Sequence, residues 1–326
     1  MNENVASSLK SADTEDWLDY HVVRPFSYLW AKFFAKLGVH PNAVTVMSMI
    51  IGAVSCIFFA HGSFHYEGGH GLLFNIIAIL LLIWADVFDC ADGQLARLTG
   101  KKSRLGRILD GLAGFTWYIP IYAALVYRFY IHHDIEFGWL GIVDTETNTL
   151  IGTAVVFVLA LVSGICLAEQ QRLADYYIQA HLFFLKGEKG SELDNSVKQA
   201  EIHKQMGKET SWFERLFQRN YISYTKLQER RTPCFQTLVT MLNNKYGTAD
   251  QIPQEIRDDF RRRSLPVLKY NGLMTFNFRS SYLFLFCLLD VPVLAFLFEI
   301  IAMSLLQCYV NRRHEKFCRQ MVENGL

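Results

Sequence analysis

The sequence predicts an all-α, polytopic membrane protein with six transmembrane helices, an N-terminal interfacial amphipathic helix and a helical cytoplasmic insertion. Three observations predict it. Of 326 residues, 51% are hydrophobic and only 19% are charged, against about 25% charged in soluble domains. Apolar stretches near the ~20 residues needed to cross a hydrocarbon layer recur along the chain. Connecting segments alternate between those rich in lysine and arginine and those with neither. The mean hydropathy of +0.15 is modest, so a polar region must dilute the apolar ones. A net charge of +1 excludes general electrostatic attraction to nucleic acid. The seven cysteines, Cys56, Cys90, Cys166, Cys234, Cys287, Cys308 and Cys318, are scattered, odd in number and never spaced C-x-x-C. They read as reduced packing residues rather than as a disulfide framework or a zinc site.

Residues 1–41 read as a tail and an interfacial helix. The polar, acidic stretch 1–24 lacks the basic start and short apolar core of a signal peptide. Pro25 then opens a helical pattern with Phe26, Leu29, Trp30, Phe33 and Leu37 on one face, Lys32 and Lys36 beside it and Gly38 as the stop. That amphipathic stripe suits a helix lying in the membrane interface. Residues 42–185 form the transmembrane core, with spans near 43–61, 71–97, 105–131 and 149–170. Residues 186–266 form a polar insertion, in which Trp212, Phe213, Leu216, Phe217, Tyr221 and Tyr224 share a face opposite Glu214, Arg215, Gln218 and Arg219. Residues 267–326 supply the last two spans, near 272–289 and 291–311, joined by a tight turn at Asp290-Val291-Pro292, and a tail. The loops 62–70 and 132–148 contain no Lys or Arg, whereas 98–104, 171–271 and 312–326 are rich in both. The positive-inside rule therefore places both termini, the insertion and the second-to-third span turn in the cytoplasm. Arg261–Arg263, just before the fifth span, reads as an orientation anchor.

The chemistry lies at that turn. The second span ends in Asp86-Val-Phe-Asp89-Cys-Ala-Asp92-Gly93-Gln-Leu-Ala96-Arg97, and the third begins Gly106-Arg-Ile-Leu-Asp110-Gly111. Carboxylates in membrane helices are costly and usually mark function. Asp89, Asp92, Gly93, Ala96 and Arg97 fall on one helix face. Acidic side chains suit a hard divalent cation, Mg²⁺ or Mn²⁺, that in turn binds a diphosphate. Gly93 and Ala96 leave room for a ligand near the backbone, and Arg97 suits phosphate oxygens. A buried ion-pair network between two helices accounts for the same residue types. No G-x-x-x-x-G-K-[ST], H-E-x-x-H or G-x-S-x-G occurs. His61, His65 and His70 flank one outer loop and read as solvated. A transporter would also explain membrane carboxylates, but no paired broken helices point to a midplane site.

The pattern D-x2-D-G-x2-A-R-x8-G-x3-D, from Asp89 to Asp110, resembles the signature of the CDP-alcohol phosphatidyltransferases, also called CDP-alcohol phosphotransferases. The resemblance extends to an interfacial N-terminal helix, to His40-Pro41-Asn42-x-x-Thr45 opening the first span, and to six spans, and covers most of the chain outside the insertion. It implies transfer of a substituted phosphoryl group from a CDP-alcohol, CDP-diacylglycerol above all, to the hydroxyl of a polar alcohol or lipid, with release of CMP. It further implies that Asp89, Asp92 and Asp110 hold Mg²⁺, that Gly93 and Ala96 line the nucleotide site, that Arg97 contacts phosphate, and that the protein is a homodimer among membrane lipids. The family's further aspartate, four residues after the third, assigned there as metal ligand and base, is replaced here by Gly114. Asp86, one turn before Asp89, and Glu169, at the end of the fourth span, are the candidate substitutes. A relative that binds the CDP-lipid without turnover is the alternative. Arg279, with Asn277 and Ser280, and Arg172 are candidates to bind the acceptor, with snorkelling to the headgroups as the competing reading; Arg128, at the opposite end of the third span, reads as snorkelling.

Overall fold

The structure is a computed structural model that describes residues 11, 13–64, 68–101, 103–132, 146–207 and 209–324, without the side chains of residues 104, 105, 107, 108, 110, 147, 148, 189 and 213. Every regular element among the described residues is helical. A π-helical turn, Asp19–Val23, leads into α1, Arg24–Lys36, which carries Pro25 in its first turn, where a missing N–H costs nothing. Leu37 caps α1, and Gly38, at φ 70°, turns the chain out. Helices α2 (Pro41–Ala60), α3 (Gly71–Thr99) and α4 (Arg104–His132) follow, then α5, Glu146–Lys186. The polar region forms α6 (Ser196–Gln205), α7 (Trp212–Arg231), α8 (Pro233–Tyr246) and α9 (Gln254–Asn271). The chain ends in α10 (Phe276–Leu288), α11 (Val293–Phe298), a π-helical turn at Glu299–Met303 and α12 (Ser304–Glu323).

Four helical stretches are long and apolar enough to cross a membrane: Pro41–Ala60, Gly71–Thr99, Thr149–Lys186 and Val293–Glu323. Their surfaces confirm the reading as an integral membrane protein. Along α5, Leu150, Ile151, Val155, Phe157, Val158, Leu161 and Ile165 are all exposed, Ile165 to 70%, a contiguous apolar face that water would not tolerate. The fifth expected span forms only the 13 residues of α10, about 20 Å at 1.5 Å per residue, short of the ~30 Å hydrocarbon core. Helix α5 departs in the other direction. Its 41 residues run well past the span end expected near 170. Charges after Leu167 end the apolar stretch, but nothing breaks the helix until Gly187, at φ 74°.

The described residues divide into two compact units. The first comprises Met1–Leu167 and Phe276–Ala302. In it α2 packs against both α3 and α4, and α1 lies against α3. The side of α1 facing α3 carries Ala31 and Phe34, which join Val44, Val87, Phe88, Ala91 and Leu95 in one apolar core. Phe26, Leu29, Phe33 and Leu37, most of the stripe expected to meet the interface, are exposed. The second unit comprises Ala168–Thr275 and Met303–Leu326, in which α6 packs on α7 and both α8 and α9 pack on α12.

Arg128 does not reach outward as the sequence suggested. It is 2% exposed and pairs with Asp290 at 2.5 Å, donating also to Asn75 Oδ1 at 3.0 Å and to the Cys287 carbonyl at 3.3 Å. Asp290, held at φ 58° in the turn that follows α10, accepts in addition from Ser63 Oγ and Phe64 N. The reason is a partner 162 residues away: a buried counter-charge removes the need to reach headgroups. Removing one partner of a buried pair strands the other charge, at a cost of about 3–5 kcal/mol. Arg128→Met is therefore expected to lower the thermal unfolding midpoint sharply, measured in detergent, whereas removing an exposed arginine such as Arg262 changes it little.

Candidate active site

The site is built around the first turn of α2. Pro41 starts that helix, and His40 Nδ1 accepts from the Asn42 N–H at 3.2 Å as its cap. Two side chains of this turn reach in different directions. Thr45 donates from Oγ1 to Asp92 Oδ2 on α3. Asn42 accepts at Oδ1 from Ser103 Oγ at 3.1 Å, and Ser103 Oγ in turn accepts from the Gly106 N–H at 2.9 Å at the start of α4. The approach explains Gly106: a Cβ there would lie 2.7 Å from Asn42 Oδ1 and 3.0 Å from Ser103 Oγ. One helix turn thus fixes both limbs of the sequence pattern.

Asp92 is buried, whereas Asp89, Gly93, Ala96 and Arg97 are half-buried along α3. The Arg97 guanidinium folds back over Gly93, with its terminal nitrogens 3.5 and 3.6 Å from where a Cβ would be. Arg97 is then within reach of any group that approaches the bare backbone at Gly93. Two carboxylates one turn apart, one of them oriented by a hydroxyl, form a donor set of hard oxygens, which fits Mg²⁺. Asp110 is placed in the second turn of α4, and its side chain lies outside those described. Gly114 is half-buried one turn further along, and at Gly111 an added Cβ would meet nothing within 4 Å.

Asp86 has a neighbour that the sequence did not reveal. Carboxylate oxygens of Asp86 and Asp19 and the Cys90 sulfur all lie within 4.8 Å of one another. The polar N-terminal segment therefore reaches the face of α3 that also carries Asp89 and Gly93. It is held there by Asn277, which donates to Asp16 Oδ2 at 2.8 Å, by Asp16 Oδ1, which accepts from the Asp19 N–H at 2.7 Å, and by Gln94, which donates to the Arg24 carbonyl at 3.1 Å. No periodicity marks Asp16 or Asp19 in the sequence, so only their acidity hinted at a role.

The other candidates are engaged elsewhere. In the second unit, Glu169 accepts from Arg172 Nη1 at 2.5 Å and from Arg231 Nε at 3.2 Å, and the Arg172 guanidinium also stacks 5.3 Å from the Tyr224 ring centre. In the first unit, Arg279 is 1% exposed rather than interfacial. Its Nη1 donates to Glu299 Oε1 at 2.6 Å, and Tyr282 donates to the other oxygen. A neutralised pair offers little net charge to a phosphorylated acceptor, and the burial overturns snorkelling for this arginine.

Carboxylates and an arginine beside a bare glycine are residue types that could hold a metal ion and phosphate oxygens. Residues 38–172 match the family model of CDP-alcohol phosphatidyltransferase. The family transfers a phosphatidyl group from a CDP-alcohol donor to an alcohol acceptor in phospholipid synthesis. No curated protein and no solved structure matches the chain.

Burial, and next the charge of Asp16, push the Asp19 carboxyl up to about 6, against the pull of Asn277 and Arg24. A carboxyl with a raised folded-state pKa is destabilising once ionised: stability is retained below its ordinary value of 3.8 and declines as pH rises to about 6. Thermal unfolding of Asp19→Asn, followed across that interval, is expected to show a flatter pH dependence than the unaltered chain, with no loss at neutral pH.

Proposed function

We propose that the protein transfers a substituted phosphoryl group from CDP-diacylglycerol to the hydroxyl of a small polar alcohol or a lipid, releasing CMP. The single observation that carries this is the one-turn bracket in which Thr45 and Asn42 set Asp92 and the start of α4, within the segment that matches the family. The face of α3 receives the diphosphate: Gly93 and Ala96 admit it to the backbone, and Arg97 binds its oxygens with a planar fork. Asp89, Asp92 and Asp110 would hold Mg²⁺, or Mn²⁺ in its place, which when bound neutralises charge on the diphosphate and its leaving group. The acceptor oxygen bonds to the phosphorus that bears the diacylglycerol, the bridging P–O bond to the cytidylate breaks, and CMP leaves. The hydroxyl proton needs a base, and Gly114 cannot supply one.

Asp86 is the better substitute. It shares the face of Asp89 and Gly93 on α3, and Asp19 stands beside it to pass the proton on. Glu169 is committed to two arginines. We place six spans in the membrane, with α4 and α10 as the third and fifth and α1 in the interface on its exposed Phe26, Leu29, Phe33 and Leu37. The motif, the 186–266 insertion and both termini face the cytoplasm, where the basic loops lie, and the exposed apolar helix faces accommodate a homodimer.

Purified protein with CDP-diacylglycerol, Mg²⁺ and a panel of acceptors is expected to release CMP with one acceptor class, and Asp92→Asn to abolish release while the protein still folds and inserts. Full activity in that variant would overturn the assignment. Donor binding without CMP from any acceptor would show a protein that only holds the CDP-lipid. For the base, Asp86→Asn is expected to lower kcat about 10²–10⁴-fold, the usual worth of a positioned base, with the donor KM nearly unchanged. An equal loss in Glu169→Gln, with Asp86→Asn active, would move the role to Glu169.

A further inference from the structure

A second cluster of ligating side chains lies in the second unit, which contains no residue of the Asp89–Asp110 pattern. His314, Glu315 and Cys318 lie on α12, in the run H-E-x-x-C, with ligand atoms within 4.8 Å of one another. His314 Nδ1 is 3.4 Å from Glu315 Oε1 and 3.8 Å from Cys318 Sγ. The cluster is dry: His314 is 1% and Cys318 0% exposed. Glu315 is oriented independently, because its Oε2 accepts from the Cys234 N–H at 2.6 Å in the first turn of α8.

The imidazole decides what the cluster holds. Its ring packs against Tyr177, Phe235 and Phe317, with centroids 4.6, 5.4 and 4.9 Å away, and Nε2 has no hydrogen-bond partner. Nδ1 faces a carboxylate oxygen and a sulfur, and without an ion it donates to Glu315 Oε1 or accepts from the Cys318 thiol, both at long range. A metal ion meets the geometry better. With bond lengths of about 2.0 Å to N or O and 2.3 Å to S, a tetrahedral centre sets N···O near ~3.3 Å and N···S near ~3.5 Å, against 3.4 and 3.8 Å here.

We propose that His314 Nδ1, Cys318 Sγ and Glu315 Oε1 bind a zinc-class divalent ion. Imidazole and thiolate select zinc over the hard Mg²⁺ that suits an all-carboxylate set. The ion clamps the C-terminal helix α12 to α8 through Glu315 and the Cys234 amide. Glu315, whose side chain is 13% exposed, marks the side from which the ion and a fourth, solvent-derived ligand enter. This revises the reading of Cys318 as a packing residue. The i,i+4 placement of His314 and Cys318 on one helix is the sequence signal for the cluster.

The test uses the full chain in detergent, stripped with a chelator and titrated with Co²⁺ and, separately, Zn²⁺. Co²⁺ is expected to produce a sulfur-to-cobalt charge-transfer band that Zn²⁺ displaces, that is lost in Cys318→Ser and weakened in Glu315→Gln, and that persists in Cys90→Ser. The last arm excludes the Asp19–Asp86–Cys90 cluster, and ions held by Asp89, Asp92 and Asp110 give no sulfur band. No band in the unaltered chain overturns the proposal even if the Cys318 variant fails to fold. A band that survives Cys318→Ser, or vanishes in Cys90→Ser, overturns it too. The result is independent of CMP release, so either reading can fail alone.

Discussion

The hydrogen bond from Thr45 to Asp92 is the constraint on which the first unit depends. A carboxylate buried at the end of an apolar helix needs a donor, since an unpaired buried charge is among the costliest groups in a protein. Thr45 supplies it from a helix start, where Pro41 and the His40 cap fix the backbone. The same turn, through Asn42, reaches the first turn of α4. Beneath it, Val44 packs with Val87, Ala91 and Leu95, so the polar contacts rest on an apolar floor shared by α1, α2 and α3. The relation between the two limbs of the pattern is therefore supported by a third helix, acting through Ser103 of the connecting turn.

A second pair of constraints acts on α10. At 13 residues it cannot rely on length to hold its place. One buried ion pair engages it near its start, Arg279 with Glu299, and another engages the turn just past its end, Asp290 with Arg128. Glu299 stands at the first position of a π-helical turn, an irregularity that often accompanies a functional or inserted side chain. Both pairs are expensive to bury and more expensive to break, which favours a unique position for a short helix over raw stability.

Much of this was legible in the sequence, and the limits have physical reasons. The face shared by Asp89, Asp92, Gly93, Ala96 and Arg97 follows from helical spacing alone, and the membrane class follows from apolar length. What failed were inferences that needed a distant partner. An arginine in an apolar stretch looks the same whether it snorkels or pairs, and Arg128 and Arg279 could not be assigned until Asp290 and Glu299 were beside them. Hydropathy located the apolar part of α5 but not its end, because hydropathy records where the solvent changes while helix geometry continues to the next breaker. The acids of the N-terminal segment carry no periodicity, so their meeting with Asp86 is tertiary information.

That meeting bears on the glycine at position 114. One turn from Asp110, α4 carries Gly114, and open space lies at the neighbouring Gly111. Under the proposed reaction a base at Asp86, one turn before Asp89, stays on the face of α3 assigned to the diphosphate. In that reaction the N-terminal segment serves the chemistry as well as the fold, because the Asn277–Asp16, Asp16–Asp19 and Gln94–Arg24 contacts keep Asp19 beside Asp86.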